Sequence, residues 1–122
     1  MAWKFDPGVS LSEQITDKIR QDIIAGVYPA GSPFPTVRQL AFEASVNPNT
    51  IQKSLTALED EGLLITLSTQ GRIVTEDEDL IRRSGEIMKS KEVAKIIALA
   101  RETSLSLDEL ITLLKKGWTE NE

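Results

Sequence analysis

The 122-residue sequence predicts a mainly helical chain with one small β-hairpin, followed by a tail of two further helices. Three observations predict it. Apolar residues recur at helical spacing behind recognisable capping signals, and between Leu63 and Thr75 that period gives way to short β-prone runs. All five prolines lie at or before Pro48, so turns punctuate the first half and leave the second to charged helix.

The first helix opens at Ser10-Leu11-Ser12-Glu13, a capping-box pattern in which Ser10 and Glu13 satisfy each other's free amides. Leu11, Ile15, Ile19 and Ile23 recur every fourth residue and, with Ile24, form a stripe facing a core. Gly26 suits a left-handed stop. Val27 to Pro35 reads as a turn-rich connector without regular period, in which Tyr28 and Phe34 pack. Thr36-Val37-Arg38-Gln39 is a second capping box, opening a short helix with Val37, Leu40 and Ala41 inward. A turn through Ser45 and Val46 leads to a third helix. Asn47 is its N-cap, and Pro48 takes the first helical position, where a missing amide costs nothing. Ile51, Leu55 and Leu58 form its buried face, and Gly62 ends it. Leu63 to Leu67 and Arg72 to Thr75 then form a hairpin around Ser68-Thr69-Gln70-Gly71. Three helices and a hairpin in this order are the layout of a winged helix-turn-helix.

The acidic run Glu76 to Asp79 marks a junction, dividing the chain into a winged helix-turn-helix at residues 1–75 and a helical module at 76–122. In the tail, Leu80, Ile81, Ile87, Met88, Val93, Ile96, Ile97 and Ala100 make an apolar stripe interrupted near Gly85 and Lys89-Ser90-Lys91. Ser106 to Glu109 is a third capping box, flanked by Leu105 and Leu110 as a hydrophobic staple. Leu107, Leu110, Ile111 and Leu114 share one face of the last helix. Two such helices bury little alone, so they need a partner surface: the first domain or a second copy of the chain. Trp3 and Phe5 read as an N-terminal arm packed on the domain or across a dimer, and Trp118 as an interface anchor or loose tail.

Composition excludes several functions. The chain has no cysteine and no histidine, which removes disulfides, thiol chemistry, His-based catalysis and nearly every zinc site. The longest apolar run, Ile96 to Ala100, is too short for a membrane span or a signal-peptide core, so a soluble, cytoplasmic protein is expected. The carboxylate clusters Glu59-Asp60-Glu61 and Glu76 to Asp79 lack the alternating oxygens and turn glycine of a calcium loop. The second cluster instead complements a helix dipole. With no phosphate-cradling glycine loop and no nucleophile beside a base, neither an enzyme nor a cofactor is expected. Net charge is −5, and acidic residues outnumber basic ones in both halves. Taken alone, this balance argues against nucleic acid, so such a reading rests on local geometry.

The third helix supplies that geometry. With Ile51, Leu55 and Leu58 inward at about 100° per residue, Asn49, Lys53 and Thr56 fall on the opposite face. Gln52 lies on its edge, and Asn47 and Thr50 lie at its start. Amides, a hydroxyl and an ammonium on one face can read base edges and phosphates in a major groove, and the helix start offers backbone amides to a phosphate.

Several motifs resemble the N-terminal domain of the GntR family of bacterial transcription regulators. They are Leu11-Ser12-Glu13-Gln14-Ile15, Gly31, Pro35 to Ala41, Val46 to Ile51, Leu58 to Leu63 and Gly71, in unbroken order across residues 11–75. The resemblance implies DNA contacts from Arg38 on the second helix, from Asn47, Asn49, Thr50 and Gln52 on the third, and from Gln70-Gly71 at the wing tip. With Thr36, Lys53 and Arg72, these are the candidate DNA-binding residues. Some branches carry arginines where this chain has Pro48 and Gln52. Arginine reads guanine whereas glutamine and asparagine suit adenine, so those branches' operators do not transfer. The Asn-Pro-Asn-Thr start and the short tail resemble the YtrA-like subfamily, which implies a two-helix dimerisation module.

The expected function is a homodimeric regulator of double-stranded DNA, a repressor on a palindromic site. The alternative is a winged helix used for protein–protein contact, which the acidic balance favours. Arg38, Lys53 and Arg72 gathered on one surface would support DNA; scattered, they would support the alternative. Nothing in the sequence identifies a small-molecule effector or establishes the need for one. The bases of the first domain are Lys4, Lys18, Arg20, Arg38, Lys53 and Arg72. They predict about two to four phosphate contacts per subunit and a log–log salt slope of roughly −4 to −7 for a dimer.

Overall fold

The structure is a computed structural model that describes residues 3–68 and 71–121. Its elements, in chain order, are α1 (Leu11–Ile24), α2 (Val37–Ala44), α3 (Pro48–Asp60), β1 (Leu64–Leu67), β2 (Gly71–Val74), α4 (Glu78–Glu102) and α5 (Leu107–Glu120). The chain forms two compact units, Met1–Gly85 and Glu86–Glu122. The first unit extends past Thr75 because Leu80 and Ile81, on the first turn of α4, pack against its core.

That core is what the helical periods predict. Ile15, Ile19 and Ile23 of α1 meet Leu40, Ala41 and Ala44 of α2, and Ile51, Leu55 and Leu58 of α3, all buried. Leu63, Leu64 and Val74 close it from the hairpin side. Leu11, the first residue of α1, departs from its stripe and is 37% exposed. The α1 cap also differs from expectation. Ser10 Oγ accepts from Glu13 N–H at a long 3.5 Å, and the stronger bonds belong to Gln14. Its side chain accepts from Asp6 N–H at 2.7 Å and donates to the carbonyls of Asp6 and Val9 at 2.7 and 3.0 Å. The N-terminal arm is thereby tied down. Trp3 and Phe5 pack against the same domain's core, with Lys18 Nζ 5.2 Å from the Trp3 ring centroid.

The hairpin is antiparallel, with Leu64 opposite Val74, Thr66 opposite Arg72 and Leu67 opposite Gly71. The connector before α2, without period in the sequence, runs along the free edge of β2. Phe34 N–H donates to Arg72 O at 2.9 Å, and Val74 N–H to Ser32 O at 2.9 Å. An edge strand with unpaired amides is satisfied there by irregular backbone.

Helix α4 runs unbroken through Gly85 and Lys89-Ser90-Lys91, where the stripe is interrupted. Gly85 is buried in the first unit, and a Cβ there would lie 3.1 Å from Ile24 Cγ2, closer than ordinary contact. The second unit contains the rest of α4, a left-handed turn at Ser104, and α5 with its full Ser106–Glu109 capping box. Ala100 is its one buried hydrophobic residue among the described residues, and α5 buries none.

Candidate nucleic-acid interface

The start of α3 is built by its cap. Asn47 Oδ1 accepts from Asn49 N–H at 2.8 Å, and Pro48 opens the helix without an amide to satisfy. Thr50 N–H bonds Asn47 O at 3.0 Å. This accounts for the first backbone donors, so the amides expected to be open to a phosphate are already occupied within the helix start. What the helix presents is side chains. Asn47, Asn49 and Gln52 are exposed and Thr50 is half-buried, opposite the buried Ile51, Leu55 and Leu58. Gln52 Nε2 donates to Thr56 Oγ1 at 3.3 Å, one turn along the same face.

On α2, Thr36 is exposed and acts as the cap. Its hydroxyl accepts from Gln39 N–H at 3.1 Å, while Gln39 Oε1 accepts from Thr36 N–H at 2.8 Å. Arg38, in the first turn, is exposed. Helices α2 and α3 are joined through Ser45, which takes a left-handed conformation at φ 57°. At the wing, Gly71 sits at φ +76° with open space where a Cβ would stand, as a tight hairpin turn requires. Gln70, the other wing-tip candidate, lies outside the described residues.

The three cations have different immediate surroundings. Arg38 stands on α2. Lys53 borders a groove between α1 and α3 together with Glu13, Asp17, Arg20 and Glu61. Arg72 is engaged within the fold: its Nε donates to Glu59 Oε1 at 2.8 Å, and its side chain is only 18% exposed.

The acidic triplet Glu59-Asp60-Glu61 divides three ways. Glu59 takes Arg72 through one oxygen and the Thr66 hydroxyl through the other, at 2.5 Å. The Thr66 bond and then Arg72 hold its carboxyl below the usual carboxylate range. Glu61 takes Arg20 of α1, and Asp60 stays exposed. Sequence reasoning missed Glu59 as the shared partner of Arg72 and Thr66. The available signal was the hairpin register, since residues directly opposite share a face of the sheet.

A three-helix core carrying an exposed polar third helix beside a two-stranded wing defines a winged helix-turn-helix DNA-binding protein. Residues 11–74 match the family model described as bacterial regulatory proteins, gntR family. The chain belongs to the GntR family of transcription regulators. It is 30% identical over 116 residues to the HTH-type transcriptional repressor YtrA of Bacillus subtilis, covering 93% of this chain and 89% of that protein. A GntR family transcriptional regulator from Listeria monocytogenes superposes with a TM-score of 0.87 at 28% identity, covering 92% of this chain and 98% of that one. BusR of S. agalactiae, solved with its busAB-promotor DNA, superposes with a TM-score of 0.55 at 25% identity, over 92% of this chain and 57% of that one. Membership in this family decides for DNA as the partner, where charge balance alone argued against it.

Proposed function

We propose that this regulator is a repressor that binds a palindromic operator as a homodimer, each subunit laying the start of α3 in a major groove. The observation that carries the docking is the exposed amide face of Asn47, Asn49 and Gln52 at the first turns of α3, with its apolar face fully committed to the core. Arg38 supplies a backbone contact from α2, and the Gly71 wing meets flanking backbone or minor groove. YtrA, similar along nearly the whole chain, is named a repressor, and BusR is seen on promoter DNA.

The tail supports the dimer. Ile111, Leu113, Leu114 and Trp118 of α5 are exposed, as are Val93, Ile96, Ile97 and Leu99 of α4. So much apolar surface on a helical unit with one buried hydrophobic residue among its described residues favours pairing with a second copy, since a two-fold interface buries the same patch on both subunits. The unit Met1–Gly85 then carries the DNA-binding domain, and Glu86–Glu122 the dimerisation module. Action on DNA makes the cytoplasm its working compartment.

Binding-site selection from random duplexes at two salt concentrations, with sedimentation of the selected complex, tests this reading. The expected result is an inverted repeat bound by two subunits. Enrichment of a single unrepeated half-site, or one subunit per duplex, would overturn it.

A further inference from the structure

We propose that Glu59 and Arg72 are positioning residues: their ion pair sets the wing against the recognition helix, and Arg72 is not a phosphate ligand. This rests on the DNA-binding reading above and concerns how the same surface is held.

Glu59 lies in the last turn of α3, and its two oxygens go to two different strands. Oε1 accepts from Arg72 Nε on β2 at 2.8 Å, and Oε2 from Thr66 Oγ1 on β1 at 2.5 Å. Thr66 and Arg72 are directly opposite, so one carboxylate grips both strands at the same rung. The next rung, Leu67 opposite Gly71, is the last before the turn. The clamp therefore acts close to the part of the wing that meets DNA. Arg72 is also held by its backbone, whose carbonyl accepts from Phe34 N–H at 2.9 Å.

To reach a phosphate, Arg72 would have to abandon a charge-assisted bond in a sheltered place, where the two side chains are 18% and 27% exposed. It would leave the Glu59 carboxylate uncompensated beside a polyanion, so the exchange gains little. Keeping the pair intact gives more: a wing already fixed in place loses less freedom on docking.

The test uses the full-length protein on its selected operator, with Glu59→Gln, Arg72→Gln and the double variant compared over a salt series. Each single variant should weaken binding roughly three- to thirtyfold, and the double no further than the weaker single, because both remove one interaction. The salt slope should stay that of the parent. Amide exchange across residues 64–67 and 71–74 should rise in all three variants while Ile15 and Leu55 stay protected. A single Arg72→Gln that makes the slope shallower by about one unit per lost contact, with Glu59→Gln binding as well as the parent or tighter, would overturn the proposal. So would variants that bind like the parent with unchanged wing exchange. Should a single variant unfold, the exchanged pair Glu59→Arg with Arg72→Glu decides. Recovered binding supports positioning, and none supports a phosphate contact. A parent that enriches no duplex overturns the DNA reading and this one with it; parent-like variants on a bound operator overturn this one alone.

Discussion

Arg20 of α1 and Glu61, at the end of α3, form a two-pronged ion pair, with Nε to Oε1 at 2.8 Å and Nη2 to Oε2 at 2.6 Å. Nη1 adds a bond to Asp17 at 2.7 Å. Glu61 and Asp17 together hold the guanidinium's pKa above its ordinary value. The pair fastens the first helix to the end of the recognition helix and withdraws one cation from DNA. With Arg72 on Glu59, and Lys18 on Asp22 and Trp3, the cations left for phosphates among the described residues up to Thr75 are Lys4, Arg38 and Lys53.

The salt dependence should therefore be weaker than the sequence predicts. One to three contacts per subunit give a log–log slope of roughly −2 to −5 for a dimer. Anisotropy titrations between low and moderate salt measure it. Arg20→Ala should lower the melting temperature without moving this slope.

Reading and holding should separate by mutation. Asn49→Ala or Gln52→Ala removes hydrogen bonds without changing charge. Each should cost about 1–3 kcal/mol on the best operator, and less on sites altered at the contacted base pair. Lys53→Ala should weaken all duplexes alike and shrink the slope by about one unit per contact. Ile51→Ala should act through a cavity costing about 2–5 kcal/mol, visible in thermal melts. If both amide variants bound every site as the parent does, the reading surface would not be α3.

Acid should loosen the wing. Because Glu59 titrates below the usual carboxylate range, its contribution is fully present above its unfolded pKa and is lost as pH falls through the lowered folded value. Melting temperature should accordingly drop below about pH 4.5, and less steeply in Glu59→Gln. Tyr28 has the opposite sign. Burial first, then Glu43 and Asp22, raises its pKa, so its contribution is complete below the ordinary tyrosine value and is lost as pH rises through the higher one. Tyr28→Phe should flatten the alkaline limb.

Truncation should distinguish the two units. Residues 1–85 should fold as a monomer, whereas ending at Thr75 also strips Leu80 and Ile81 from the core, at a cost of about 2 kcal/mol. Both fragments should bind an operator about 10²- to 10⁴-fold more weakly than the full chain, since a half-site loses its tethered twin. Sedimentation equilibrium and melting curves check each part. A dimeric 1–85 fragment would move the interface out of the tail.

Local physics made the helices legible in the sequence. The Thr36–Gln39 and Ser106–Glu109 boxes, the Asn47-Pro48 start, and the stripes through Ile15, Ile19 and Ile23 or Ile51, Leu55 and Leu58 depend on residues within a turn or two of one another. The polar face of α3 followed from the same period. Tertiary structure alone decided the partners. It alone showed that Glu59, Asp60 and Glu61 have three different fates, that Arg72 answers to Glu59, and that Ser32 to Phe34 complete the edge of β2. It also carried the first unit to Gly85, where the absence of a side chain lets α4 approach Ile24. A residue's type states what bond it can make, but which group stands within 3 Å depends on how distant segments cross, and that crossing is set by packing of the whole core.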